Sequence, residues 1–159
     1  MLPDNYLHCK GHLDSLLKRL RKNPKLLEEY DSIIKNQLKE GIVERVDENS
    51  GDAGKLHYSP HREVIREDKS TTKVRVVYDL SAKMKNCPSI NECLEIGNCM
   101  LPKIFEVIVR FRSDIALTSD IKSAFLQIRV NEADRDFLRF LWIDDVRKED
   151  PKTILLRFT

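Results

Sequence analysis

Long apolar runs are what this sequence most clearly lacks. No stretch approaches the ~20 residues of a bilayer-spanning helix, and the first residues do not show a signal-peptide pattern. The expectation is an intracellular protein, cytoplasmic or nuclear, with no membrane partner. Zinc-type pairs are missing too. Cys87, Cys93 and Cys99 are evenly spaced, and His8, Cys9 and His12 cluster near the start, but neither group contains a CxxC pair. Free thiols in a reducing compartment are expected instead. There is no internal repeat and no low-complexity tract, which argues against solenoids and disordered linkers. Neither sign of charge dominates: 28 Lys and Arg face 26 Asp and Glu, a net +2, so composition alone does not announce a nucleic-acid binder. With 41% hydrophobic and 34% charged residues, the 159-residue chain has the makeup of a folded protein with a sizeable core.

The periodicities predict an α+β chain. Residues 1–12 read as an irregular lead-in. Leu13, Leu16, Leu17 and Leu20 then repeat at helical spacing, and Asn23-Pro24 stops that helix and starts a second, with Asn as cap and Pro at the first helical position. The second helix places Leu27, Tyr30, Ile34 and Leu38 on one face and ends near Gly41. Ile42 to Val46 reads as a short strand. His61 to Glu67 and Lys73 to Asp79 read as a hairpin, in which Lys73 and Arg75 share one face while Val74, Val76 and Tyr78 share the other. Glu63 and Glu67 are the expected partners of those cations. Ser81 to Leu101 reads as loop. Pro102 opens a helix to about Arg112 with Ile104, Phe105, Ile108 and Phe111 as its core face. A buried strand then climbs to Asp120, a strand follows over Leu126 to Val130, and Asn131 caps a helical turn over Glu132 to Asp136. Phe137 to Ile143 and Thr153 to Phe158 form a last hairpin. Helix pairs and separate hairpins without βαβ alternation define the α+β class.

The stretch Ile115-Ala116-Leu117-Thr118-Ser119-Asp120-Ile121-Lys122-Ser123-Ala124-Phe125-Leu126-Gln127-Ile128 organises the reading. A carboxylate at the end of a buried strand needs compensation, and a hard cation or a capped turn would each supply it. Asp120-Ile121-Lys122-Ser123-Ala124-Phe125 with Gln127-Ile128 resembles the first catalytic motif of retroelement reverse transcriptases. Ser70 to Lys83 is similar to the fingers motif of the Bel/Pao group of LTR retrotransposons. Ser89-Ile90-Asn91-Glu92-Cys93-Leu94, Arg110-Phe111-Arg112 and Asp134-Arg135-Asp136-Phe137 keep that family's order and approximate spacing.

The resemblance implies a partial polymerase right hand. Residues 1–41 would be a helical lead-in to the fingers, 42–112 the fingers with the hairpin 61–79 and the helix 102–112, and 113–159 an incomplete palm. It implies an RNA-directed DNA polymerase that uses Mg²⁺ or Mn²⁺, deoxynucleoside triphosphates and an RNA or DNA template-primer, within a larger polyprotein. Asp120 would be catalytic and ligate the metal ions, and the backbone carbonyl of Ile121 would add a ligand. The amides of Ser123 and Ala124 would meet the triphosphate, and Lys73 and Arg75 would close on its phosphates. Phe125 would be the steric gate that excludes a 2′-hydroxyl; plain core packing is its other reading.

Trp142-Ile143-Asp144-Asp145 imitates the family's second carboxylate motif, but only Gln127 to Leu141 separates it from the first. That leaves no room for the intervening helix, and the pair opens a charged loop. The expectation is therefore a fragment lacking the second motif, thumb and RNase H domain, inactive as a polymerase by itself. The alternative is a non-catalytic module that binds nucleic acid or protein. Its motivation is the missing motif together with the basic run Lys18, Arg19, Arg21, Lys22 and Lys25, which otherwise reads as a solvated helix face.

Overall fold

The computed structural model describes residues 2–47, 50–51, 54–66, 74–99, 101–112, 115 and 117–159. Leucines at helical spacing give α1 (Tyr6–Leu20), whose Leu13, Leu16, Leu17 and Leu20 are all buried. The helix starts seven residues before the leucine pattern does. Asn5 explains why: its side-chain amide accepts from the Tyr58 amide (2.7 Å) and donates to the Tyr58 carbonyl (2.8 Å), pinning the chain where the helix begins. The expected irregular lead-in is thus confined to the first few residues. α2 (Pro24–Lys39) begins as predicted, with Pro at its start and Asn23 Oδ1 accepting from the Leu26 amide at 3.3 Å. Gly41, at φ +69, follows its end in the left-handed conformation that favours glycine.

The strands form two antiparallel sheets. β1 (Val43–Val46), β4 (Arg139–Ile143) and β5 (Thr153–Phe158) make one, in the order β1-β5-β4; β2 (His61–Ile65) and β3 (Val74–Tyr78) make the other. The two short α-helices are α3 (Ile90–Cys93) and α4 (Ile104–Arg110), and 3-10 helices cover Ala124–Gln127 and Glu132–Leu138. Asn131 caps the second of these by accepting from the Ala133 amide (3.2 Å), as the sequence suggested. The α+β class holds. No helix among the described residues is long and apolar enough to cross a membrane.

The core lies between α1, α2 and β4, where every residue of β4 is buried. β4 stands at the sheet edge, and its open side is closed by residues 57–59 and His61. The Arg139 amide donates to His57 O (3.2 Å), the Ser59 amide donates to Arg139 O (2.7 Å), and His61 Nε2 donates to Leu141 O (2.8 Å). A carbonyl can only accept, so Nε2 carries the proton and Nδ1 is left to accept from the Tyr30 hydroxyl at 2.5 Å. Burial pushes the His61 imidazole down to about 4 against the opposing pull of the Leu141 carbonyl. Trp142 Nε1 donates to Asp31 Oδ1 (3.0 Å), tying the same strand to α2.

At the start of β4 the Arg139 side chain, 0% exposed, donates through Nε and Nη2 to Asp136 Oδ1 (3.0 and 2.9 Å) and through Nη2 to the Ser50 carbonyl (2.6 Å). Arg157 Nη1 reaches the same carboxylate oxygen (2.7 Å), and its Nε pairs with Glu44 (2.7 Å). Burial pushes the Asp136 carboxyl up, but the two arginines overcome it and hold the group below the usual range. Gly51, at φ +108, packs over this cluster: a Cβ there would lie 2.6 Å from Arg139 Nη2 and 2.7 Å from Leu56.

Three expectations fail. Ile115 and Leu117, placed by the sequence in a buried strand, are 79% and 89% exposed, and no strand forms among the described residues there. Leu126 to Val130 is not a strand; a 3-10 turn occupies Ala124–Gln127. Helix α4 forms, yet Ile104, Phe105, Ile108 and Phe111 all stay exposed instead of joining the core. The physical reason is common to all three: an apolar run becomes core only when another element covers it, and nothing described covers 101–128.

Two measurements follow from this packing. In the unfolded chain His61 titrates near 6.5, so the unfolded state takes up a proton first, and stability falls as pH drops from 6.5 toward 4. The loss should total about 3 kcal/mol, at ~1.4 kcal/mol per tenfold change in proton affinity. Urea titrations across that range are expected to show it, and His61→Gln, which keeps a donor for Leu141 but cannot titrate, should flatten it. Gly51→Ala should cost about 2 kcal/mol or more in the same assay, through its positive φ and the clash with Arg139.

Candidate functional site

The motif around Asp120 is a surface turn. Thr118 to Ile121 take no regular structure, Ser123 adopts the left-handed conformation (φ 53, ψ 44), and Ala124–Gln127 follow as one 3-10 turn. The Leu126 amide closes it on Ser123 O at 2.8 Å, and Gln127 Nε2 reaches Lys122 O at 3.5 Å. A serine with positive φ is uncommon and mildly strained. The amides that open a helical turn have no partner within it, and those of Ser123 and Ala124 make no backbone hydrogen bond among the described residues. Asp120 is exposed and makes no hydrogen bond or ion pair with the described residues. Phe125 is 90% exposed, so it is not core packing in this fold.

The remaining candidates belong to a different element. Arg75 lies on the outward face of β3, opposite Val64, exposed and without an ion pair. Lys73 and Glu67 lie outside the described residues. The expected pairing of Glu63 with the hairpin cations does not occur, because Glu63 stands opposite Val76 on the inward face. There it accepts two bonds from Arg19, at 2.6 and 2.7 Å. The Arg19 guanidinium holds the Glu63 carboxyl below its usual range. Asp120, Ile121, Ser123, Ala124 and Phe125 are therefore gathered by adjacency in one turn. Among the described residues no hydrogen bond, ion pair or ring contact joins them to Arg75.

One carboxylate and one backbone carbonyl do not fit a two-ion Mg²⁺ or Mn²⁺ site, which needs several oxygen ligands around each ion. Among the described residues, no group of three or more His, Cys, Asp or Glu side chains could hold a metal ion. Asp144 is engaged elsewhere. Its Oδ1 accepts from the amides of Asp145 (2.8 Å) and Lys152 (2.9 Å), and its Oδ2 takes Lys148 Nζ at 2.5 Å, which closes the β4–β5 hairpin. The Lys148 ammonium holds the Asp144 carboxyl below its usual range.

The polar groups with the densest bonding, His61 with Tyr30 and Arg139 with Asp136, are not prominent in the sequence. Arg139 leaves a trace as an arginine opening an otherwise apolar run, three residues after an acid. Ser81 to Leu101 reads as loop in the sequence, yet α3 forms within it on a capping box whose Ser-x-x-Glu spacing was the overlooked signal: the Ser89 amide donates to Glu92 Oε2 (2.9 Å), and Ser89 Oγ accepts from the Glu92 amide (3.3 Å). All four cysteines are free thiols, and burial pushes that of Cys9 up to about 12.

The fold and its exposed turn define an α+β chain and no narrower class. Comparison with protein-family models, with curated proteins and with solved structures found no match to the chain in any of them.

Exposed phenylalanines in a segment that no described element covers should be cut first. Limited chymotrypsin digestion is expected to cleave between Leu101 and Phe125 before any site in α1, α2 or β4. Because β1 pairs with β5 and residues 57–59 seal β4, the two pieces should co-elute on gel filtration. Early cleavage in β4, or separation of the pieces, would contradict the described packing.

Proposed function

We propose that this chain is the fingers and the first part of the palm of a retroelement RNA-directed DNA polymerase, similar to the Bel/Pao group. The observation that carries the reading is the ordered series of motifs, of which Asp120-Ile121-Lys122-Ser123-Ala124-Phe125 is the centre. The structure is compatible with it in one respect that core packing would not produce: the acid and the aromatic of that motif both face solvent from a tight turn with a strained serine between them. In this reading Asp120 and the Ile121 carbonyl would supply part of the ligand set of a divalent-ion site that the described residues do not complete, the amides of Ser123 and Ala124 and the guanidinium of Arg75 meet the triphosphate, and Lys73 joins them. Phe125 stands beneath the sugar and rejects a 2′-hydroxyl by occupying its space. Nucleotidyl transfer is mostly positioning and charge stabilisation, so donors and a carboxylate on a turn are the parts it needs. A second carboxylate beside Asp120 is not among the described residues, and the 159-residue chain alone is expected not to extend a primer.

The test is primer extension on an RNA template with deoxynucleotides. A chain joined to a palm segment with an aromatic-x-Asp-Asp motif should extend, and Asp120→Asn should reduce its rate at least a hundredfold. Phe125→Ala should raise ribonucleotide incorporation relative to deoxynucleotides by tenfold or more. Extension that survives Asp120→Asn would end the polymerase reading.

A further inference from the structure

The run Lys18-Arg19-Leu20-Arg21-Lys22-Asn23-Pro24-Lys25 crosses the turn between α1 and α2 with five cations and no acid. The whole chain carries only +2, so the rest of it is net negative and the positive charge is local. Arg19 is neutralised by Glu63, a pair that also pins the turn against β2. Lys18, Arg21, Lys22 and Lys25 are exposed and take part in no ion pair. Arg62 on β2 and Arg66 just past its end are exposed as well and make no ion pair among the described residues.

Folding does not account for that placement. Lys18 sits favourably in the last turn of α1, but Lys22 and Lys25 stand at the start of α2, where a positive helix end favours acids; the first turn of α2 has none. Arg21 and Lys22 follow directly on the end of α1, so their charges and that of Lys18 crowd one turn with no acid among them. A polyanion would relieve that crowding. Leu20 and Leu27 are buried and Leu26 packs against the core, so the turn offers no fully exposed leucine as an apolar anchor for a bilayer or a protein partner.

We propose that the α1–α2 turn binds the sugar–phosphate backbone of a nucleic acid through Lys18, Arg21, Lys22 and Lys25. Contacts of this kind are independent of sequence and weaken steeply with salt, as bound counterions are released from the phosphates. The surface is separate from the Asp120 turn. Oligonucleotide binding without primer extension would leave it standing while the polymerase reading falls.

The experiment is fluorescence anisotropy with labelled 20-nucleotide RNA and DNA of mixed sequence, from 50 to 200 mM NaCl. Arg21→Glu/Lys22→Glu should weaken binding at least tenfold at 50 mM and lower the slope of log Kd against log salt. Lys39→Glu/Lys85→Glu makes the same charge change at exposed, unpaired lysines elsewhere and should stay within twofold of the parent. If the first variant loses its far-UV circular dichroism, the neutral Lys22→Gln/Lys25→Gln takes its place, with at least a threefold loss expected. Equal weakening by both glutamate pairs, no binding at 50 mM, or tighter binding to phosphatidylserine vesicles than to either oligonucleotide would overturn the proposal.

Discussion

The burial of β4 is the constraint on which the rest of this structure depends. An edge strand ordinarily leaves a row of amides and carbonyls to water, yet Arg139 to Ile143 are all buried. A buried backbone group without a partner is costly, so each one has to be met from somewhere. Residues 57–59 meet Arg139 at one end in a short parallel bridge, and the His61 side chain meets the Leu141 carbonyl at the middle of the strand. Because His61 must stay neutral to do this with Tyr30 beside it, the hairpin β2–β3 that carries it is locked against α2. The N-terminal Asn5 then grips Tyr58 from behind. Sheet, hairpin and helices are held together by the bonding demands of five residues.

Charge follows the same logic. Arg139 is fully buried and would be prohibitive alone, but Asp136 and the Ser50 carbonyl satisfy three of its contacts, and Arg157 extends the network to Glu44 on β1. These pairs join the beginning and end of the three-stranded sheet. By contrast, Lys18, Arg21, Lys22 and Lys25 of the α1–α2 turn and the carboxylate of Asp120 have no such partners among the described residues. Arg139, Arg157, Arg19 and their acids are paired across elements, whereas Asp120, Arg75, Lys18, Arg21, Lys22 and Lys25 are exposed and have no ion pair among the described residues.

A good part of the fold was legible. The leucine face of α1, the Asn23-Pro24 junction, the inward Val74-Val76-Tyr78 face and the β4–β5 hairpin all follow from local periodicity or from a cap. The candidate site was legible as a motif but not as a geometry. Asp120 was placed at the end of a buried strand, and the structure shows a surface turn, with no ladder partner for Ile115 or Leu117 among the described residues. Glu63 was assigned to the hairpin cations, and the two-residue strand period puts it on the opposite face, within reach of Arg19.

What the sequence determined by itself is therefore whatever depends on neighbours within about a turn or a strand: helix starts and stops, hairpin faces, and the concentration of five cations in eight residues. Tertiary structure decided which apolar runs became core and which ions met. Those outcomes turn on whether a surface distant in the chain arrives to cover a residue, as α1 and α2 cover β4 and nothing described covers α4. Burial free energy belongs to the pair of surfaces, and a single stretch of sequence carries only one of them.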